Sequence, residues 1–430
     1  MRFALVNPAW TFEGSIYFGC REPHLPLELG YARALLEAAG HEAELVDGQL
    51  ERLSPDALRD RVAAFAPDVL VVTTAPTYLF WRCPPPELRV PRQTIDALRD
   101  LARAVIAVGP HGSTTPGSTL RKLGADLVVL GECEEVLAAL ARTPPERWPQ
   151  IPGTAARDET GHVRVTGGPQ AADLNALPAL RWPAATLAAH DHHHHRFDPH
   201  AAVFGAEMET SRGCPYRCTF CAKETHRDRY RKRPLATVLR ELDDLVAAGV
   251  GYVYFIDEIF LPDEPLLREI GRRGIHFGVQ TRIDLWSLEM LDLLGAAGCR
   301  SIEAGIESIS AEGRAALDKR CKLSTAALTE RLVRARDTVP FVQATLMESR
   351  ADDPEAVAAW RESLVRHGVW ANAPVPLFPY PGSPDYTRLW GPPDDQAWER
   401  AHDYYLQRFD TFSDVQEQRP VRLPILEQAP

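Results

Sequence analysis

Three cysteines lie close together near the middle of the 430-residue chain. Cys214, Cys218 and Cys221 follow one another at spacings of four and three residues. Thiolates are the usual ligands of iron–sulfur clusters, and three of them on a four-iron cluster leave one iron open. An open iron can hold a substrate or a cofactor. The pattern therefore predicts an iron–sulfur cluster with one free coordination position.

Two other interpretations follow from the same residues. Spacings of four and three also describe one face of an α-helix, on which the cysteines would be small buried core residues. Gly213 and Pro215 flank the first cysteine and favour a turn instead of that helix. The second alternative is a structural zinc site with His226 as the fourth ligand.

The cysteine motif and its surroundings resemble the radical SAM enzymes. In that family three such cysteines hold a 4Fe–4S cluster, and the fourth iron chelates the amino and carboxylate groups of S-adenosylmethionine. The resemblance implies an electron transfer that cleaves S-adenosylmethionine to a 5′-deoxyadenosyl radical or feeds cofactor chemistry. It also implies an aromatic residue of the motif near the adenine, for which Phe220 is the first candidate and Tyr216 the second.

The chain around the cysteines predicts six β–α units. One strand is expected just ahead of Cys214, and the others at residues 252–256, 275–279, 301–304, 341–347 and 375–378. Parallel strands alternating with helices close into a barrel, which six units leave incomplete. Residues 203–385 are therefore predicted to form a partial (β/α)6 barrel with polar residues gathered at one rim.

Acidic, amide and basic residues follow three of these strands. Carboxylates can accept hydrogen bonds from an ammonium group or from ribose hydroxyls, and an arginine can bind a carboxylate through two bonds. Such residues could instead cap helices or pair with each other. The resemblance places Asp257 and Glu258 near the methionyl amino group. It implies that the other cofactor-facing strand ends are Gln280, Arg282, Glu307 and Ser308.

The first third of the chain alternates short apolar strands with helices. Strands are predicted at residues 3–6, 43–46, 69–74, 105–108 and 127–130. This alternation specifies a doubly wound, Rossmann-like parallel sheet that binds ligands at the carboxyl ends of its strands. Small and polar residues collect at those ends: Asn7, Thr74, Gly109, Pro110, His111, Gly131 and Glu132. They could approach a flat or phosphorylated ligand, or they could be ordinary strand-to-helix loops.

Residues 1–142 resemble the cobalamin-binding domain that precedes many radical SAM domains. The resemblance rests on residues 109–111, on residues 130–132 with Glu135, and on the helix start at residues 26–31. It implies a corrin ring held against the sheet by the strand-end residues named above. The Asp-x-His-x-x-Gly signature of other cobalamin proteins is missing, so cobalamin is expected without a protein imidazole below cobalt. A domain reduced to a scaffold is the alternative.

The remaining segments are less regular. Residues 143–202 are rich in proline and glycine, which predicts an interdomain linker with one hairpin near Gly161. Five histidines occur between His190 and His195; they could bind a metal, form a solvated loop or carry protons. Residues 386–430 are predicted to form a C-terminal helical extension.

Composition limits the class of protein. A formal net charge of -11 argues against nucleic-acid binding. The chain has no apolar run near the roughly 18 residues that a membrane span needs, and its start does not resemble a signal peptide. Eight cysteines with three of them clustered fit a reducing compartment, so we expect a cytoplasmic location. The other five cysteines are expected to be structural or incidental.

The resemblance implies a cobalamin-dependent radical SAM enzyme. Its expected reaction moves a methyl group from methylcobalamin to an unactivated carbon of a small-molecule substrate, by way of the 5′-deoxyadenosyl radical. An electron donor such as a flavodoxin or a ferredoxin is the expected protein partner. A cobalamin-assisted rearrangement or cyclisation is one alternative, and a non-catalytic corrinoid-binding protein is another.

Overall fold

The computed structural model describes residues 1–17, 22–77, 81–190, 204–408 and 420–428. Two parallel sheets organise these residues, the first with seven strands and the second with six. The predicted fold class, a Rossmann-like domain followed by a partial parallel barrel, is confirmed. None of the helices within the described residues combines the length and the apolar character that a bilayer span requires.

The first sheet contains the strands β1 (Arg2–Asn7), β2 (Glu42–Asp47), β3 (Val69–Thr73), β4 (Ala104–Val108), β5 (Leu127–Val129), β6 (Thr154–Arg157) and β7 (Val163–Thr166). Its helices are α1 (Leu27–Ala38), α2 (Pro55–Phe65), α3 (Arg89–Leu98), α4 (Pro110–Thr114), α5 (Pro116–Leu123) and α6 (Glu134–Ala141). The strand order is β2-β1-β3-β4-β5-β6-β7. The first five strands in that order are parallel, and the last two are antiparallel.

Alternate residues of the central strands supply two separate cores. Val69 and Val71 of β3 pack with α1 and α6 on one face, whereas Leu70 and Val72 pack with α2, α3 and α5 on the other. Successive side chains of a strand point to opposite faces, so a strand that is covered on both sides must be apolar throughout. This requirement explains why the continuous apolar run was a sound predictor of β3.

The hairpin predicted near Gly161 is present, because β6 and β7 pair as antiparallel neighbours. Strand β6 also pairs with β5, so the first sheet continues into the segment predicted as a linker. The division of the chain into four segments stays a prediction. Of the histidine run, residues 191–195 lie outside the described residues. His190 is buried, with its Nε2 atom 2.9 Å from Glu207 Oε2.

The second half of the chain contains the strands β8 (Phe204–Met208), β9 (Ser211–Arg212), β10 (Arg231–Lys232), β11 (Val250–Phe255), β12 (His276–Thr281), β13 (Cys299–Glu307), β14 (Phe341–Leu346) and β15 (Trp370–Ala371). Its helices, with one that precedes β8, are α7 (Ala184–Ala189), α8 (Leu235–Ala247), α9 (Glu264–Arg273), α10 (Leu288–Ala296), α11 (Ala311–Ala316), α12 (Thr325–Thr338), α13 (Pro354–Arg366), α14 (Pro384–Trp390), α15 (Ala397–Leu406) and α16 (Leu423–Leu426). Six strands form an open, all-parallel sheet in the order β15-β14-β13-β12-β11-β8.

The last strand of this sheet does not lie where the sequence predicts it. The prediction of a strand at residues 375–378 is wrong, since the sixth strand is β15 and Val375 makes one isolated bridge, to Met347. Pro374 and Pro376 flank Val375 and lack the N–H groups that a strand ladder needs. The apolar run therefore follows the strand edge without joining it.

The C-terminal helices pack against the start of the chain and against the first domain. Trp398 of α15 and Leu423 of α16 share an apolar cluster with Ile16. The Trp398 indole donates a hydrogen bond to Thr115 Oγ1 at 3.1 Å, and Lys122 pairs with Glu427 at 2.9 Å. The same cluster includes Ala222 and Phe378 of the second half, so the C-terminal segment contacts both halves of the protein.

Candidate functional site

The three cysteines lie on an extended connection between β8 and α8, which we call the cysteine loop (residues 209–233). Cys214, Cys218 and Cys221 all have non-helical backbone, so the interpretation as one face of a helix is wrong. Gly213 has a φ of 79°, and a Cβ there would collide with the Arg229 carbonyl oxygen. Only glycine adopts this conformation readily, and it turns the chain just before the first cysteine.

Two acidic residues at the end of β11 hold the start of the loop. Asp257 accepts hydrogen bonds from the Thr210 backbone N–H at 3.0 Å and from the Thr210 and Ser211 hydroxyls. Burial raises the pKa of Asp257 to about 7, although those hydrogen bonds oppose the rise. Glu258 accepts from the Gly213 backbone N–H at 2.7 Å. The structure therefore gives both residues, predicted to lie near the methionyl amino group, a role in fixing the loop.

The thiols themselves are close neighbours in a protein environment. Cys218 is buried, Cys214 and Cys221 are half-buried, and all seven described cysteines are free. Burial raises the pKa of Cys218 to about 12, and the neighbouring Cys221 thiol adds to that rise. Burial likewise raises the pKa of Cys221 to about 11, while the cations of Arg82 and Lys319 oppose the rise. Neighbouring thiols with cations beside them fit the anionic ligand set that an iron–sulfur cluster requires.

The zinc alternative gains no support. Within the described ranges, no group of three or more His, Cys, Asp or Glu side chains is arranged to hold a single metal ion. His226, the proposed fourth ligand, is buried with its ring 4.9 Å from the Trp81 ring centroid. Sulfurs that bind different irons of one cluster do not need to converge on a single point.

Three of the predicted cofactor residues carry buried polar atoms without a hydrogen-bond partner. They are Oε1 of Gln280, Nη1 of Arg282 and Oε2 of Glu307. Buried polar atoms are nearly always paired, so each exception calls for an explanation. Two acceptors and one donor at neighbouring strand ends match a ligand that has both an ammonium and a carboxylate group. These residues therefore fit S-adenosylmethionine.

Ser308 and Tyr216, two other predicted residues of this rim, make contacts within the protein. The Ser308 hydroxyl donates to Asp352 Oδ1 at 2.7 Å. Phe220 is half-buried. The Arg282 guanidinium lies 3.9 Å from the ring centroid of Tyr216, which joins the cysteine loop to the end of β12. The assignments of single residues to the cofactor stay predictions.

A buried group of charges connects the two sheets, and the sequence did not reveal it. We call it the interdomain ion network, and it consists of Glu132, Glu134, Glu209, Arg212, Arg227 and Glu258. Arg212 lies 2.7 Å from each of Glu132, Glu134 and Glu209. Arg227 lies 2.8 Å from Glu209 and 2.7 Å from Glu258. The side chains of all these pairs are fully buried.

Glu132 was predicted to face the corrin, and the structure places it in this network. Burial acts to raise its pKa, but the neighbouring arginines outweigh that effect and lower the pKa to about 2. Glu132 is therefore ionised and paired with Arg212 and Arg231. Gly131, beside it, has no space for a Cβ because the Gln170 backbone lies against it. Both residues attach the end of β5 to neighbouring chain segments.

The remaining strand-end residues of the first sheet divide into two groups. Asn7 donates to Asp47 Oδ1 at 2.9 Å. His111 packs 4.5 Å from the Trp398 ring, and burial lowers its pKa to about 3. Thr74 Oγ1, in contrast, is buried without a partner, and a Cβ on Gly109 would collide with it. The glycine at 109 thus makes room for Thr74 beside Pro110 at the start of α4, and the unpaired Thr74 hydroxyl is the polar atom of this strand end that fits contact with a ligand such as a corrin.

Glu28, in the first turn of α1, is a buried carboxyl group that the sequence analysis did not single out. Its Oε2 atom accepts from the Thr77 hydroxyl at 3.0 Å, and its Oε1 atom has no partner. Burial raises its pKa from 4.5 to about 8. Between pH 4.5 and about pH 8, the folded protein therefore keeps the Glu28 proton, whereas the unfolded chain releases it.

This proton predicts a pH effect on stability. As the pH rises from 4.5 to 8, each unit should cost the wild type about 1.4 kcal/mol relative to Glu28→Gln, which cannot ionise. Urea unfolding of both proteins at pH 5 to 9 measures this difference. Glu37→Gln, on the exposed side of α1, serves as the control. Parallel pH profiles for wild type and Glu28→Gln would contradict the buried-acid assignment.

Comparison with known proteins matches both halves of this chain. The model of the radical SAM superfamily matches residues 208–357, and that of the B12 binding domain matches residues 20–141. The hopanoid C-3 methylase of Methylococcus capsulatus is 28% identical over 419 residues, which cover 94% of this chain and 74% of the relative. The tryptophan 2-C-methyltransferase of Streptomyces laurentii is 26% identical over 364 residues, which cover 71% of this chain and 59% of the relative.

Solved structures give the same result for the fold. The radical S-adenosylmethionine methyltransferase TsrM from Kitasatospora setae, with cobalamin and a [4Fe-4S] cluster bound, has a TM-score of 0.71 at 24% identity. That alignment covers 89% of this chain and 76% of TsrM. The cobalamin-dependent radical enzyme OxsB has a TM-score of 0.66 at 17% identity, covering 96% of this chain and 57% of OxsB.

A third sequence relative, an uncharacterized methyltransferase of Pyrococcus horikoshii, is 24% identical, and this chain spans 66% of its length.

The first half of the chain forms a Rossmann-like sheet with an unpaired polar atom at its strand ends. Buried charges join this sheet to a parallel barrel, and a loop of the barrel carries the three cysteines. Together these features define a protein with a corrinoid-type domain and an iron–sulfur domain. By their matches to family models, residues 208–357 are a radical SAM domain and residues 20–141 are a B12 binding domain that precedes it. This domain pair implies a 4Fe–4S cluster, S-adenosylmethionine and cobalamin as cofactors.

Proposed function

We propose that the protein is a cobalamin-dependent radical SAM methyltransferase that methylates an unactivated carbon of a small molecule. The observation that carries this proposal is the set of unpartnered buried atoms on Gln280, Arg282 and Glu307 beside the cysteine loop. In this chain they occur together with a B12-binding domain. Two relatives are named as methylating enzymes, a tryptophan 2-C-methyltransferase and a hopanoid C-3 methylase.

The residues of the site would have two roles: some would hold the cluster, and others would bind S-adenosylmethionine. When bound, the cluster supplies the electron, S-adenosylmethionine the radical and the methyl group, and cobalamin the methyl carrier. Cys214, Cys218 and Cys221 would hold the cluster. Gln280, Arg282 and Glu307 would bind and orient the zwitterionic end of S-adenosylmethionine, and Asp257 and Glu258 keep the loop in place through its backbone.

The interdomain ion network supports the proposal that both cofactors serve one reaction. Glu132 follows β5 of the first sheet, Glu134 begins α6, and Arg212 immediately precedes the turn at Gly213. Because Arg212 contacts both acids at 2.7 Å, the corrin side and the cluster side are fixed against each other. A methyl group carried on one side must reach a carbon activated on the other, which requires such a fixed distance.

The test uses the full chain after anaerobic reconstitution with iron, sulfide and cobalamin. With a chemical reductant and methyl-labelled S-adenosylmethionine, we expect 5′-deoxyadenosine and labelled product from a substrate panel that begins with tryptophan and a hopanoid. Formation of 5′-deoxyadenosine with no transfer of label to any product or to the corrinoid would favour the rearrangement or cyclisation alternative. Absence of both products in a protein that holds its cofactors would favour the non-catalytic alternative.

Two further proposals concern the surroundings of the enzyme. We propose a flavodoxin or a ferredoxin as the electron donor, since the cluster must be reduced before it reacts. We also propose a cytoplasmic location, because the seven described cysteines are all free and the predicted cluster needs a reducing compartment. The formal net charge of -11 supports a function without nucleic acid.

A further inference from the structure

Arg82 is a cationic residue that the first half of the chain places against the cysteine loop. It lies on the connection between β3 and α3, and its Nη2 atom donates a hydrogen bond to the Glu258 carbonyl oxygen at 3.1 Å. The side chain of Glu258 in turn accepts from the Gly213 backbone N–H, one residue before Cys214. Arg82 is therefore attached to the residue that fixes the start of the cysteine motif.

Both sequence neighbours of Arg82 pack against the second half of the chain. Trp81 is 1% exposed, and its ring lies 4.9 Å from the ring of His226 in the cysteine loop. Cys83 packs against an apolar cluster that includes Ala222, the residue after Cys221. Because these contacts occur on each side of Arg82, its backbone has a fixed position relative to the cysteines.

The charge of Arg82 acts on two of the three cysteines. Burial raises the pKa of Cys221 to about 11, and Arg82 opposes this rise more than any other group does. Burial acts to lower the pKa of Arg82 itself, but negative charges that include Cys221 and Cys214 raise it above its usual value. Arg82 thus lies beside two of the predicted cluster ligands, as the packing of its neighbours also indicates.

Arg82 has donors left for a ligand. A guanidinium group carries five N–H donors. Among the residues that the structure describes, the Glu258 carbonyl oxygen is the acceptor that Arg82 binds, and the Arg82 side chain is half-buried. Removing a cation from water is costly unless the cation is paired, so the geometry indicates an anionic group between Arg82 and the cysteines.

We propose that Arg82 donates hydrogen bonds to the iron–sulfur cluster and raises its reduction potential. The inference rests on the cluster that the proposed function requires. Reduction transfers one electron from the donor to the cluster, so a fixed cation beside the sulfurs stabilises the reduced form more than the oxidised form. Net charge and hydrogen bonds to the sulfurs set the potentials of such clusters. The B12-binding half thereby contributes a residue to the cluster site of the radical SAM half.

The test measures the reduction potential of the full chain after anaerobic reconstitution with iron, sulfide and cobalamin. A titration with a chemical reductant, followed by low-temperature electron paramagnetic resonance of the reduced cluster, gives the ratio of reduced to oxidised cluster at each potential. We expect Arg82→Met to lower this ratio about tenfold at a fixed potential, which is a shift of about 59 mV for a one-electron couple. Arg82→Lys keeps the charge and should recover most of that loss.

Two further variants separate the charge of Arg82 from its packing. Arg82→Gln is neutral but can still donate to the Glu258 carbonyl, so its potential should resemble that of Arg82→Met. Arg89→Met is the matched control: it removes a cation at the start of α3, where Nη2 donates to the Glu13 carbonyl at 3.3 Å. That variant should keep the potential of the wild type.

Three results would overturn the inference. The first is an Arg82→Met ratio within about twofold of the wild type; an altered visible spectrum of the bound cobalamin would then assign Arg82 to the corrin instead. The second is a wild-type potential in Arg82→Gln, which would assign the effect to the hydrogen bond with Glu258. The third is an equal shift in Arg89→Met, which would show a general effect of net charge.

Other outcomes separate this inference from the proposed function. The expected shift in a chain that forms neither 5′-deoxyadenosine nor methylated product supports the role of Arg82 and refutes the proposed function. Product formation by the wild type, with no shift in Arg82→Met, overturns only the inference. Failure of both neutral variants to take up iron assigns Arg82 a structural role in the cysteine loop and overturns the inference as well. A wild-type chain that holds no iron refutes both.

Discussion

Arg212→Met is expected to lower the free energy of unfolding by about 3–5 kcal/mol, one of the largest effects available in this protein. Arg212 is fully buried and lies 2.7 Å from each of three glutamates. Without the guanidinium, Glu132, Glu134 and Glu209 remain buried near one another. Their mutual repulsion and their lost solvation both oppose folding. Urea unfolding followed by tryptophan fluorescence measures the change.

Two variants test the cause of that loss. Arg212→Met combined with Glu134→Gln should be more stable than Arg212→Met alone, because one uncompensated charge is removed. Arg61→Met removes an exposed arginine that pairs with Glu44 at 2.6 Å, and it should have a much smaller effect since exposed pairs contribute little. If Arg212→Met were as stable as the wild type, the network would not hold the domains together.

The network also explains why the chain keeps charges where apolar side chains could pack. Buried ion pairs are often no more stabilising than apolar residues of the same volume. What they add here is direction, because each carboxylate is held at a fixed angle to a planar guanidinium. Arg212 thereby sets the distance between the end of β5 and the turn before Cys214, which apolar packing would set less sharply.

Local patterns predicted the regular elements well. Strand β4 was predicted at residues 105–108 and spans Ala104–Val108 in the structure. Strand β3 was predicted from a continuous apolar run, and all five of its residues are buried. The run at residues 375–378 misled because hydropathy does not register the missing N–H groups of Pro374 and Pro376. A run of apolar side chains therefore predicts that a segment is buried more reliably than it predicts that the segment pairs as a strand of the sheet.

The candidate site was predictable only in part. The cluster-binding role of the cysteines was predicted from their spacing, and the roles of Gln280, Arg282 and Glu307 were implied by the resemblance to radical SAM enzymes. Arg212 and Glu132 are separated by 80 residues, and a single sequence offers no sign that they meet. The ion pair between Lys319 and Glu307 at 2.9 Å was missed for a different reason: Asp318 and Arg320, on either side of Lys319, have positive φ values, which are uncommon for non-glycine residues and which local patterns do not predict.

The same difficulty affects the first sheet. Several strand-end residues are of types that are typical of a ligand-binding edge, yet they make contacts within the protein. These residues are Asn7, His111, Gly131 and Glu132. Thr74 and Gly109 are residues of the same kind, but here the Thr74 Oγ1 atom has no hydrogen-bond partner. Composition at strand ends therefore predicts where a ligand site lies, whereas the unpaired atoms indicate which residues are available to the ligand.

Cys218→Ala is expected to abolish the cluster and with it the formation of 5′-deoxyadenosine, while binding of cobalamin by the first domain is retained. Without Cys218, a cluster held by three thiolates loses a third of its protein ligands. Because Cys218 is buried, solvent does not readily supply a ligand in its place. The iron content after anaerobic reconstitution should fall from about four per chain toward zero. The visible spectrum and an assay for 5′-deoxyadenosine measure the two effects.

Cys321→Ala and Cys299→Ala are the controls for this prediction, since both cysteines lie outside the cysteine loop and contact backbone carbonyls instead. Both variants should keep the iron content and the cleavage activity of the wild type. Retention of cobalamin by Cys218→Ala would show that the two cofactor sites are separate, whereas the loss of both cofactors would show that the interdomain ion network transmits damage in the cysteine loop to the first sheet. Iron bound equally well by wild type and Cys218→Ala would refute the cluster assignment, and with it the proposal for S-adenosylmethionine, because that cofactor depends on the open iron.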